Sequence, residues 1–305
     1  MTAADRDPAV SSADISEEVF GVGTPVATPG PPPASTSRAG RNLPMAIGVG
    51  LLLGLFIVLS LFWHKELFVV VATTAVCIGV WELTRAVGRL GLHPPLVPLV
   101  LGTMAMLVVA FVSGSEALLV VFGLTCVAVL LWRGSDAAKG AAGDVASGLF
   151  LAAYPGLLAG FSMLLLAPSD GAWREFTFLA VTVASDIGGY AVGVNFGRRP
   201  IAPRISPKKS WEGFVGSVLS CMIVGTGCVR FILDGPWWVG PVLGVAVAAS
   251  GTVGDLAESA IKRDVGIKDA SGILPGHGGL MDRLDSLVLT APVTWMMLAA
   301  FVAVR

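Results

Sequence analysis

Charge is scarce in this chain. Of its 305 residues only 13% are Asp, Glu, Lys or Arg, while 54% are apolar, and the mean hydropathy is +0.80. A soluble domain carries about 25% charged residues. Half that fraction cannot cover a water-facing surface of this size, which excludes a soluble globular enzyme. Histidine is scarcer still, with three residues, so no His cluster offers a zinc cage. The four cysteines (Cys77, Cys126, Cys221, Cys228) fall singly inside apolar runs. Neither disulfides nor a zinc site is expected there, and small buried hydrophobes are. The net charge of −1 identifies no partner, and no nucleic-acid partner is expected.

What is abundant is apolar sequence in lengths that fit a bilayer. Residues 1–43 stand apart: they are rich in Pro, Ser, Thr, Ala and Gly, with TPGPPPASTS near their end. Too little apolar surface exists there to offset the entropy of ordering, so a disordered tail is expected. It is not read as a signal peptide, because the apolar region starts only near Pro44. From there, the need for about 20 apolar residues per helix predicts nine spans. They lie at 44–63, 67–84, 95–113, 116–132, 145–167, 175–196, 213–233, 237–254 and 286–304. Trp63, Trp81, Trp132, Trp173, Trp237 and Trp238 sit near span ends, as interface anchors would. The expectation is an all-α polytopic membrane protein of about nine transmembrane helices.

Nine spans place the termini on opposite sides. On that arrangement 16 of the 20 Lys and Arg residues fall on the side of the N-terminus. The positive-inside rule then puts the N-terminus in the cytoplasm and the C-terminus outside, in the cell (inner) membrane. Small-residue patterns occur at Gly50 and Gly54, and at Gly189, Gly193 and Gly197. Either could bring helices close, within the chain or between copies.

The charges that remain collect in the last third, on the predicted cytoplasmic face. They lie in DIGGYAVG (186–193), SPKKSWEG (206–213), GDLAESAIKRDVGIKD (254–269) and LPGHGGLMDRLDS (274–286). Asp255 falls at the cytoplasmic end of the eighth span, and Asp282 and Asp285 just before the ninth, so the two sets can meet at one level. Asp255 and Glu258 are three apart, as are Asp282 and Asp285, which puts each pair on one helix face. Asp186, about 15 Å inside the sixth span by helix rise, is the deepest acid of the group, a depth at which acids have a partner or a metal. Carboxylates at a water boundary suit Mg2+, which keeps waters and bridges to phosphate oxygens. Around them stand Lys208, Lys209, Lys262, Arg263, Lys268, His277 and Arg283, and the glycines of 276–279 offer backbone N–H groups to phosphate. Singly, each feature has an ordinary explanation: a cytoplasmic basic loop, a turn, an N-cap. Together they describe a metal-plus-polyphosphate site.

The run SAIKRDVGIKDASGILPGHGGLMDRLD (259–285) resembles the signature of the bacterial phosphatidate cytidylyltransferases, the CDP-diacylglycerol synthases. That pattern is S-x-apolar-K-R, four residues, K-D, a spacer, then P-x-H-G-G-apolar-x-D-R-apolar-D. SPKKSWEG and Ser185-Asp186 are similar to further motifs of that family. The likeness covers 145–305, read as a catalytic region of five spans. Residues 44–144 match only as four apolar spans, and 1–43 not at all.

The resemblance implies a CTP-dependent nucleotidyltransferase. CTP and phosphatidic acid would give CDP-diacylglycerol and pyrophosphate with Mg2+, a second cation being possible, in phospholipid biosynthesis. It implies Asp255 and Asp282 as metal ligands, with Asp285 beside them or sharing that role. It also implies Lys208, Lys209 and Ser210 at phosphate. Ser206, Lys268 and Asp186 are taken as further substrate-binding positions, and Lys262, Arg263, His277 and Arg283 as parts of the reaction centre. A homodimer is expected, from the family and from the glycine stripes. Two rivals predict other things. An anion transporter needs buried charge on both sides of the midplane, yet 44–144 carries almost none. A lipid-phosphate transferase or kinase would use another nucleotide.

Overall fold

The computed structural model describes residues 43–134, 140–267, 271 and 279–305. The expected disordered tail, Lys268, His277 and most of the glycine run 276–279 lie outside the described residues.

Long apolar runs leave the backbone one way to satisfy its own N–H and C=O groups in lipid, which is the helix. Nine long helices result among the described residues. They are α1 (Leu43–Trp63), α2 (Lys65–Gly88), α3 (Leu96–Ser113), α4 (Ser115–Gly134), α5 (Ala141–Leu166), α6 (Gly171–Phe196), α7 (Trp211–Ile232), α8 (Val239–Asp264) and α9 (Met281–Phe301). Among the described residues, α2 to α9 are each long and apolar enough to cross a membrane. The 21 residues of α1 span about 30 Å at 1.5 Å per residue. The protein is an all-α polytopic membrane protein, as the hydropathy pattern predicts.

Two helix bounds differ most from that prediction, and both matter for the site. The eighth helix does not stop at 254 but continues to Asp264. The ninth begins at Met281 rather than 286. Hydropathy ends a span where charges begin. A helix backbone carries on past that point when its charged side chains find partners in the fold. A second departure is a short antiparallel hairpin between α6 and α7, β1 (Pro200–Ala202) with β2 (Ser206–Ser210). The sequence reading left this stretch as a loop.

The helices pack in layers around shared apolar clusters. Phe178, Val181, Cys221, Leu243, Val247 and Leu298 join α6 to α9. Leu61, Phe68, Val76, Met106 and Met163 join α1, α2, α3 and α5. Large apolar side chains such as Val112, Leu131 and Ile223 point outward, as a lipid-facing surface requires. Gly189 and Gly193 lie inside the α6–α7 contact: a Cβ on Gly189 would sit 2.4 Å from Ser217 Oγ, and one on Gly193 would sit 3.6 Å from Gly213 Cα. This part of the stripe brings two helices of one chain together, so it is not available to argue for a dimer. At the C-terminal end of α9, the buried Arg174 pairs with Asp170 at 2.9 Å and donates to the carbonyls of Leu298, Val302 and Ala303 at 3.3, 3.0 and 2.8 Å. A cation there complements the helix dipole and satisfies carbonyls that have no partner within the helix.

Candidate active site

Because α8 is longer than hydropathy predicts, Asp255, Glu258 and Lys262 all lie within one helix, at i, i+3 and i+7 on one face. Asp282 and Asp285 occupy the first two turns of α9. Gly254 lets these faces meet. A Cβ at that position would come within 2.6 Å of the Asp285 carbonyl oxygen, so only glycine permits this backbone approach. The result is a cluster of acids and lysines drawn from two helices.

Lys262 Nζ donates to Glu258 Oε2 at 3.1 Å and to Asp282 Oδ1 at 2.9 Å. The other Asp282 oxygen accepts the Gly279 N–H at 2.8 Å. Asp285 accepts the N–H of Ser286 at 2.8 Å. Lys209, carried in by β2, forms an ion pair with Asp255. Glu258 is fully buried, and its Oε1 has no hydrogen-bond partner. Tyr154, one of two tyrosines in the chain, is buried on a π-helical stretch of α5 (Ala152–Leu157) that contains Pro155. Its hydroxyl also has no partner and lies in the electrostatic field of Glu258, Asp285 and Asp255.

A cavity of about 310 Å3 opens beside this cluster. Asp186, Ser206, Lys208, Lys209, Ser210 and Asp255 all line it. Six predicted site residues, from α6, the hairpin, the start of α7 and α8, thus share one concavity. Lys208 is exposed, while Lys209 turns inward to its acid partner. Ser210 caps α7, its Oγ accepting the Gly213 N–H at 3.1 Å. Asp186 is exposed to the cavity rather than sealed in the helix bundle. It makes no hydrogen bond or ion pair to a described residue, so the partner expected from its depth is not found among them.

Other predicted residues stand apart. Arg263 is exposed and turned to the hairpin, with Nε 3.5 Å from the Ile205 carbonyl oxygen. Arg283 is exposed, on the first turn of α9 beside Asp282. Lys268 and His277 fall outside the described residues.

The sequence reading gave no role to Glu258, although its spacing puts it on the Asp255 face, nor to Tyr154. It also passed over Glu82. This buried acid of α2 accepts hydrogen bonds from the backbone of Leu280 and Met281. Its one signal was a carboxylate inside an apolar run, VWELTR. Residues 44–144 therefore do carry a buried acid in their second span.

The donor chemistry fits a hard cation. Three carboxyls (Asp255, Glu258, Asp282) pair with two lysine ammonium groups, Asp285 follows Asp282 one turn along α9, every donor is oxygen, and one buried carboxylate oxygen of Glu258 has no partner among the described residues. Oxygen ligands are what Mg2+ takes. The acids meet in pairs, however. Among the described residues, no three His, Cys, Asp or Glu side chains converge so as to hold a metal ion as they stand. Lys209 and Lys262 hold the carboxylates instead.

Comparison with known proteins decides the class of this site. The model of the cytidylyltransferase family matches residues 45–301. The chain belongs to the cytidylyltransferase family. A phosphatidate cytidylyltransferase of Mycobacterium leprae is 40% identical over 280 residues, covering 87% of this chain and 90% of that protein. One from Mycobacterium tuberculosis is 37% identical over 280 residues, covering 88% and 85%. One from Haemophilus influenzae is 40% identical over 132 residues, 41% of this chain and 45% of that protein. The family match also takes in α1 to α4, which the motifs alone had left as unassigned apolar spans.

Proposed function

We propose that this cytidylyltransferase transfers the cytidylyl group of CTP to phosphatidic acid at the end of the bundle where α8 meets α9. The products are CDP-diacylglycerol and pyrophosphate. The observation that carries this reading is the joining of two features. The basic hairpin brings Lys208 and Lys209 to one cavity with Asp255, and the acids of α8 and α9 adjoin it.

In the reaction, an oxygen of the lipid phosphate attacks the α-phosphorus of CTP. A new P–O bond forms, the bond to the bridging oxygen breaks, and pyrophosphate leaves with that electron pair. A phosphate monoester has its second pKa near 6 and is largely dianionic at neutral pH, so no strong general base is needed. The site's task is to bring two anions together and balance the charge that moves to the leaving group. Lys208 and Lys209 bind phosphate oxygens, and Asp186 lines the same cavity for the nucleotide. Asp255, Asp282 and Asp285 would hold Mg2+, with Glu258 at their side. Bound there, the ion supplies charge neutralisation for polyphosphate oxygens. Lys262 keeps Asp282 and Glu258 in register while the site is unloaded.

The location suits the substrates. Acyl chains stay in lipid, and CTP arrives from water. The distribution of Lys and Arg supports a cytoplasmic N-terminus, a cytoplasmic active site, an outside C-terminus and residence in the cell membrane. The homodimer rests on family resemblance and, weakly, on the Gly50 and Gly54 pattern, since Gly189 and Gly193 are used within the chain while Gly54 is exposed.

The test is incubation of the purified protein with α-labelled CTP, phosphatidic acid and Mg2+. The expected result is Mg2+-dependent label in the lipid phase and unlabelled pyrophosphate in the aqueous phase. Label that stays aqueous, or a preference for ATP with transfer of its terminal phosphate, overturns the reading.

A further inference from the structure

Glu82 stands six residues before the end of α2, in the half of the chain that the motifs do not reach. It is 1% exposed. Burying an acid in an apolar span is costly unless it is hydrogen-bonded. Its three hydrogen bonds to described residues go to the catalytic end of the molecule. Oε1 accepts the Leu280 N–H at 3.0 Å and the Ser271 hydroxyl, and Oε2 accepts the Met281 N–H at 2.8 Å.

Leu280 and Met281 open α9. Their N–H groups belong to the set that has no acceptor within the helix, and a carboxylate at that end is also favoured by the helix dipole. The carboxylate comes from another helix, so it does more than cap: it pins the first turn of α9 against α2. Asp282 is the next residue. Its two oxygens are set by Lys262 and by the Gly279 N–H, so a shift of this turn moves that carboxylate relative to Asp255 and Glu258 on α8. Ser271 belongs to the motif segment between α8 and α9, and the same Glu82 oxygen holds it. One buried acid thus anchors two points of the 259–285 motif.

We propose that Glu82 is a positioning residue for cytidylyl transfer, fixing the start of α9 so that Asp282 stands at the substrate site. This inference rests on the function proposed above. Misplacement of a reacting group by about 1 Å can cost roughly 100-fold in rate, and removing a partner that orients a metal ligand costs about 10–100-fold in affinity or activity.

The test uses the full chain in detergent or nanodiscs, with Glu82→Gln, Glu82→Asp and Glu82→Ala. Glu82→Gln keeps the volume but turns an NH2 donor toward a backbone N–H. Hydrogen exchange at 279–286, without substrate or metal, should quicken in Glu82→Gln and Glu82→Ala. Turnover per folded molecule should fall about 10–100-fold, with half-maximal activity moved to higher Mg2+ and the KM for CTP little changed. Glu82→Asp should recover part of both. Unchanged exchange at 279–286 overturns the proposal. So does activity that falls only as the folded fraction falls, or a failure of every variant to fold, since Glu82 would then serve the bundle and not the site. If the wild type transfers no label from CTP, the function reading fails, and the exchange data still judge whether Glu82 pins α9.

Discussion

Replacing Lys262 with Met keeps most of the side chain's volume and removes its charge. The ammonium group bridges Glu258 Oε2 at 3.1 Å and Asp282 Oδ1 at 2.9 Å. The three side chains are 14%, 0% and 9% exposed, so water screens little of the interaction. In Lys262→Met, Glu258 keeps neither oxygen partnered, because its Oε1 already lacks a donor. Breaking a buried pair by removing one partner costs about 3–5 kcal/mol, most of it from the stranded charge and not from the net worth of the bridge. A second substitution, Glu258→Gln, removes the stranded charge and should therefore restore stability. The two changes should couple by about 1–3 kcal/mol. The assay is thermal unfolding in detergent with chelator present, for both single variants and the double variant. A Lys262→Met protein within about 0.5 kcal/mol of wild type, the range of an ordinary surface change, would refute the reasoning. Strictly additive effects would do the same.

Asp255→Asn and Asp282→Asn should reduce turnover to background while unfolding close to wild type, because Asn keeps the size and loses the charge that would hold Mg2+; near-normal kcat in either folded variant removes it from the metal site. Lys208→Ala and Lys209→Ala should differ although the residues are adjacent. The exposed Lys208 should mainly raise KM for CTP, by the equivalent of about 1–3 kcal/mol for a lost charge-assisted bond. Lys209→Ala also frees Asp255 and should lower kcat as well; identical kinetic profiles would show that the ion pair has no role. Gly254→Val puts a Cβ 2.6 Å from the Asp285 carbonyl oxygen. Overpacking of this kind costs about 1–3 kcal/mol, and turnover should fall as α8 and α9 separate. A fully active Gly254→Val protein would mean that this close approach is not needed for the chemistry.

Composition and hydropathy determined the class and the span count, because lipid admits few backbone solutions and requires apolar runs of fixed length. The 259–285 motif pointed to the chemistry, since the order of its acids, cations and glycines survives translation into any fold. Neither could say how far α8 runs past its apolar stretch or where α9 begins. Those ends are decided by partners from elsewhere: Lys262 finding Asp282, and Glu82 taking the first N–H groups of α9. The same limit hid the roles of Glu258, Tyr154 and Glu82. Spacing along one helix shows which residues share a face, but not which face of another helix will meet it. The glycines made the point twice. In the sequence Gly189 and Gly193 suited a contact between copies as well as one within the chain, and Gly254 carried no mark at all. Packing placed the first two between α6 and α7, and it set Gly254 against Asp285, where the absence of a single Cβ lets the two acid-bearing helices touch.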